Sequence, residues 1–274
     1  MDVVWWMVSM TVGTAGGWLW RKSAARAEVS RWVGRGGLPA EPDLVAAAQT
    51  WFERRQTSVA IGVWVGMMLG GVLLLVTGAG LNPAVLTWWF AAVLLGGGIA
   101  TCARSYLAVR NARADEPRAA ALRPRRLVDY LSAFEIWLQY GLLAVPLLAA
   151  VLGLFALHSG GWTLVAGGLV AVPMAAAAFY LQRLSLLLRQ SATDAAGLQW
   201  QEAFRAVTLR DLGLAGMTIS WLLGAAAALS FEWPDDVPGF VQPATYVLFL
   251  GSTLLIVASL VVSVSRRGLR RVLA

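Results

Sequence analysis

ARSYLAVRNARADEPRAAALRPRR, residues 103–126, holds seven arginines, with long apolar runs beyond it on both sides. A nucleic-acid surface of this kind calls for aromatics interleaved with the charge, on which bases can stack. Tyr106 is the only aromatic residue in the stretch, so nucleic acid is not the expected partner. The alternative is a loop that orients a membrane protein, and the rest of the chain decides between the two.

Working outward, the chain is 58% hydrophobic and only 14% charged, against about 25% charged in ordinary soluble domains. A bilayer-spanning helix needs about 20 mostly apolar residues. Six runs near that length, 58–77, 84–103, 136–157, 162–182, 212–230 and 244–264, contain no Asp, Glu, Lys or Arg. A seventh, 3–20, is shorter and richer in Gly and Thr. Asp2 precedes it, and Arg21 and Lys22 follow it. That order is the reverse of a signal peptide, which begins with positive charge. The run reads as a retained first span with its N-terminus outside; a short interfacial helix is the rival reading.

The basic residues fall into alternate gaps between these runs. Segments 21–57, 103–126, 183–210 and 266–271 hold seven, seven, four and four, which accounts for all 22. The intervening loops 78–83, 158–161 and 231–243 hold none, and the last carries Glu232, Asp235 and Asp236. Cytoplasmic loops of membrane proteins carry the excess of Lys and Arg. Seven spans that start outside end inside, where the basic tail lies. The expected fold is therefore an all-α, multi-pass helical bundle of about seven spans, with its C-terminus cytoplasmic. The lipid bilayer is its first partner. Anionic headgroups attract the basic loops at about 1 kcal/mol per residue near the surface. Trp5, Trp6, Trp88, Trp89, Trp162 and Trp233 lie toward the outer ends of runs, and Trp18, Trp20, Trp51, Trp137 and Trp200 toward the inner ends. Such aromatic belts mark the two interfaces. One lysine among 22 basic residues, with abundant Ala and Gly, suggests a high-GC bacterium and hence its plasma membrane.

The expected organisation is an N-terminal span (1–22), a cytoplasmic helical linker (23–57) and a six-span domain (58–274). Within it the sequence suggests three hairpin-like units, 44–115, 127–194 and 197–274. Each opens on a helical lead-in with an aromatic just ahead of an acid: Phe52 and Glu53, Phe134 and Glu135, Trp200 and Glu202. Internal repeats are common in transporters, although any series of helical hairpins with basic loops looks similar. The linker GRGGLPAEPD (34–43) ends one helix, and Asp43 is the expected cap of the next.

Gly62, Gly66 and Gly70 lie four apart, and Gly216, Ser220 and Gly224 repeat the device. Small residues let helix backbones approach closely in lipid, either within the chain or between copies in a homo-oligomer. Pro146 and Pro173 sit inside consecutive runs, where each removes a backbone hydrogen bond. A kink, a hinge or a cavity is the expectation there.

Chemistry is sparse. His158 and Cys102 are the only residues of their kinds, too few for a His/Cys zinc site or an internal disulfide. With Lys22 the only lysine, a Walker-type GK motif and a retinal Schiff base in a late span are excluded. No metal and no cofactor is expected. The carboxylates set against apolar runs are the remaining candidates, first Glu135, with Gln139 one helical turn on, and then Asp129. A carboxylate paired with a loop arginine is the plainer reading of both. Three functions stay open: a non-catalytic membrane subunit or scaffold, a transporter or permease for an apolar or neutral solute, and an intramembrane enzyme acting on a lipid at the inner leaflet.

Reporter fusions test the topology. Fusions at Ser23 and Ala274 should report the cytoplasm, and fusions at Gly80 and Gly160 the exterior. An external Ala274 would sink the seven-span arrangement.

Overall fold

In hydrocarbon no water meets a backbone N–H or C=O, so an apolar segment satisfies both within itself by coiling. The computed structural model describes residues 2–77, 83–111, 125–155, 157, 161–187 and 194–229, and no strand occurs among them. In chain order the helices are α1 (Asp2–Gly36), α2 (Pro42–Thr77), α3 (Pro83–Asn111), α4 (Ala133–Phe155), α5 (Trp162–Leu187) and α6 (Ala195–Leu229). A single 3-10 turn, Leu127–Asp129, precedes α4.

Four stretches among the described residues are long and apolar enough to cross a membrane: Pro42–Val76, Ala91–Asn111, Ala133–Val151 and Leu164–Leu187. The runs 3–20 and 212–229 are helical but are not among the four, and 244–264 lies outside the described residues. The same holds for much of the third repeat-like unit and for the basic tail.

The boundaries expected at 22 and 57 fall inside helices. α1 runs unbroken through the first and α2 through the second. With 36 residues, α2 is about 54 Å long at 1.5 Å per residue, against roughly 30 Å of hydrocarbon. α1 ends where Gly37 takes a left-handed φ of 66°, a conformation glycine adopts without steric cost. Pro42 then occupies the first position of α2, where its missing N–H is no loss. The Glu41 carbonyl accepts from the Val45 N–H at 2.9 Å, so the cap position falls at Glu41. Asp43, expected as the cap, lies one residue inside the first turn.

α6 is central: it packs against α3, α4 and α5, while α2 packs on α3 and α1 on α2. The first small-residue stripe faces α3 within the same chain. A Cβ on Gly62 would collide with the Gly96 carbonyl, one on Gly66 with the Ala92 carbonyl, and one on Gly70 with the Trp89 ring at 2.9 Å. The second stripe divides its contacts. Gly216 receives the Phe179 ring of α5, Gly224 lies against Val145 and Pro146 of α4, and Ser220 donates to the Gly216 carbonyl at 2.9 Å. The two prolines differ in exposure. Pro146 is buried, its carbonyl against Gly168, whereas Pro173 lies on an exposed face.

Gly66→Leu tests the close approach. A leucine there has backbone in its path, and overpacking costs about 1–3 kcal/mol or more. Leu75 is exposed, so Leu75→Ala should leave folded yield and melting temperature near wild type while Gly66→Leu lowers both. Equal behaviour of the two variants would remove the argument.

Candidate functional site: a charged and aromatic collar

Ion pairs and stacked rings collect at one end of the bundle, where α1, α2 and α6 run past their apolar halves. The first half of α6 supplies Glu202, Arg205, Arg210 and Asp211. Asp211 takes both oxygens to Arg55 of α2, accepting from Nε and Nη2 at 2.6 Å each. Arg104 of α3 approaches the same carboxylate at 3.4 Å. Three helices are tied at one carboxylate, and the bidentate fork is the stronger geometry for such a pair.

Glu202 forms the second knot. It accepts from Arg125 Nη2 at 2.6 Å and from the Tyr130 hydroxyl at 2.6 Å, and Arg205 lies 3.6 Å away. Burial, and then the hydrogen bond to Glu202, push the Tyr130 phenol up to about 12. It therefore stays a neutral donor to this carboxylate through the physiological range.

Glu135 is the third. It is buried, and its position is local in origin. Ser132 donates its N–H and its hydroxyl to Glu135 Oε2 at 2.7 and 2.8 Å, and the Glu135 N–H donates back to the Ser132 hydroxyl at 3.2 Å. This reciprocal arrangement is a capping box, which satisfies otherwise unpaired N–H groups at a helix start. The other oxygen faces Arg210 Nε at 3.6 Å, and Arg210 Nη2 donates to the Tyr130 carbonyl at 3.3 Å. Asp129, the lesser candidate, is exposed and accepts from the Arg126 N–H at 2.8 Å. Glu135 and Asp129 thus both serve as local caps. Gln139, one turn beyond Glu135, reaches α6 at Gly213, where Gln182 of α5 also arrives and donates to the Leu209 carbonyl at 2.8 Å.

The aromatics of the collar are packed on one another. Trp32 and Trp200 stack with planes 8° apart, Trp51 stacks on Phe204 at 4.6 Å, and Phe52 fills the space between. Trp200 donates to the Pro39 carbonyl at 3.1 Å, which draws the α1–α2 turn into the cluster. Trp51 and Trp200, expected in an interfacial belt, pack into this cluster, where the polar halves of α1, α2 and α6 come together. Trp20 and Trp137 are exposed, at 72% and 77%.

Beside the collar lies a cavity of about 580 Å³, with Arg21 of α1, Trp51, Glu53 and Arg54 of α2, and Arg104 of α3 in its wall. The Arg104 guanidinium sits over the Trp51 ring, 5.3 Å from its centroid. None of the expected site residues lines this cavity, and its arginines were legible beforehand only as basic loop charge. The S-x-x-E of 132–135 was a readable sign of the cap at Glu135. Comparison with protein-family models, with curated proteins and with solved structures found no match.

Two substitutions test the collar. Glu135→Gln keeps an acceptor for Ser132 but drops the charge facing Arg210. It should lower stability by about 0.5–2 kcal/mol, the scale of a lost cap, and Arg210→Gln should act in the same direction. Tyr130→Phe should lower the melting temperature at neutral pH. The phenol is held above its ordinary value of 10, so its contribution is fully present below pH 10 and is lost as pH rises toward 12. The gap between wild type and Tyr130→Phe should therefore close over that window, and a gap that stays constant would rule out the hydrogen bond as its source.

Proposed function

We propose that this chain is a non-catalytic membrane subunit or scaffold. It would cross a bacterial plasma membrane seven times, with its N-terminus outside and the collar on the cytoplasmic side. One observation carries the reading: the carboxylates of the collar are committed. Asp211 is held by Arg55, Glu202 by Arg125 and Tyr130, and Glu135 by its cap and Arg210. A general acid or base needs a carboxylate within reach of substrate, and these face guanidinium and backbone groups of their own chain. This weighs against a lipid-modifying enzyme built on Glu135. The transport reading has the buried pair Gln139 and Gln182 in its favour, but Gln182 spends its N–H on a neighbouring helix, which is how polar side chains join helices in lipid.

The cytoplasmic placement is supported by the coincidence of the collar with the arginine-rich segments. On this reading the outward faces of α1 and α2 at that end meet a partner protein or a second copy of the chain. A photo-reactive residue at Arg26 or Ser30, both exposed, should crosslink in native membranes to a product heavier than the 29.3 kDa chain. Exclusively monomeric product from both positions would overturn the scaffold reading.

A further inference from the structure

We propose that the cavity walled by Arg21, Arg54 and Arg104 holds the phosphate of an anionic glycerophospholipid, whose acyl chains lie along the exposed apolar stripe of α2. The inference rests on the membrane placement just proposed but not on the scaffold role.

Charge selects an anion. Three guanidiniums from three helices face one carboxylate, Glu53. Asp211 accepts from Arg55 at 2.6 Å on each oxygen and from Arg104 at 3.4 Å, so one carboxylate answers two guanidiniums and a positive charge remains in excess beside the cavity. Arg104 is also fixed in place over Trp51, so little side-chain freedom remains to be lost on binding. The Thr57 and Ser58 hydroxyls in the wall donate into their own helix at 2.8 and 2.9 Å. Recognition therefore falls to the arginines, which suit phosphate through their planar fork of donors.

Position selects a lipid over a free anion. Ser58 is the first residue of an apolar run, so the cavity lies where that run meets the charged end. From Arg54 upward, Ser58, Ile61, Val65, Leu69 and Val72 recur at steps of three or four and so share one helix face. The four apolar members of this row are exposed. A basic foot beneath an open apolar track matches an amphiphile with an anionic head. The volume of about 580 Å³ falls within the roughly 300–1,000 Å³ of small-molecule sites.

The test uses the full chain in neutral detergent, with phosphatidylglycerol and phosphatidylcholine counted by native mass spectrometry. Phosphatidylglycerol should be retained in preference to phosphatidylcholine. Arg54→Gln should weaken its binding about fivefold, the effect of one basic residue near a headgroup, and Glu53→Gln should strengthen it. Arg26→Gln, an exposed charge outside the cavity wall, should bind as wild type. Equal retention of the two lipids would overturn the proposal, as would Arg54→Gln and Glu53→Gln both binding like wild type. Displacement of the lipid by an equal concentration of inorganic phosphate would assign the site to a free anion and overturn the lipid. If Arg54→Gln fails to fold, Glu53→Gln decides alone, and unchanged binding overturns the proposal. A monomeric result in the crosslinking experiment leaves every one of these outcomes readable.

Discussion

Between helices in lipid there is no hydrophobic drive to associate, since acyl chains are as apolar as leucine. Everything that gives this bundle a definite arrangement follows from how it meets that constraint. Inside the apolar layer it does so by close backbone approach, Gly62 against Gly96 and Gly66 against Ala92, where dispersion contacts accumulate. Beyond the layer it has another resource. α1, α2 and α6 are each 35 or 36 residues long, and at their polar ends aromatic rings are buried against one another, which is strongly favourable wherever water would otherwise reach them. The cluster of Trp32, Phe52, Trp200 and Phe204 is the ordinary core of a soluble protein, built on the ends of helices whose other halves are apolar.

The ion pairs act at the seam between these two regimes. Asp211 joins α2, α3 and α6, and Glu135 with Arg210 joins the start of α4 to α6. Exposed pairs contribute little, because water and salt screen them. These side chains are largely shielded, and removing one partner would leave the other poorly solvated. Such pairs help fix which helix neighbours which and in what register. Arg21, Arg54 and Arg104 line one cavity, and Arg104 also reaches Asp211 at 3.4 Å.

Much of the local structure was legible in the residues themselves. The lengths and purity of the apolar runs predict helices, and each described run is helical. Pro39, Pro42 and the glycines of 34–37 predict the break between α1 and α2, and the chain turns there at Gly37. Ser132 and Glu135 spell a capping box three residues apart. The steps of four among Gly62, Gly66 and Gly70 predict a face for close approach. Each of these signals acts over a few residues, so local sterics and hydrogen bonding are enough to read it.

Partners were not legible, for the opposite reason. Arg55 and Asp211 are 156 residues apart, and an excess of arginine offers each acid many equivalent mates. Only packing brings one of them within reach. The same ambiguity surrounded the small-residue stripes, which suit a neighbour in the chain or in another copy equally well; the first found its neighbour in α3. Trp51 and Trp200 show the limit most plainly. An interfacial tryptophan and a buried one look alike in a sequence, because both stand next to an apolar run and near charge. The sequence by itself determined that the chain is helical, where its helices break, and which end of each run carries the charge, since these depend on composition over a few turns. Tertiary structure alone decided which acids pair with which arginines and which rings are buried, since those depend on distances between residues far apart in the chain.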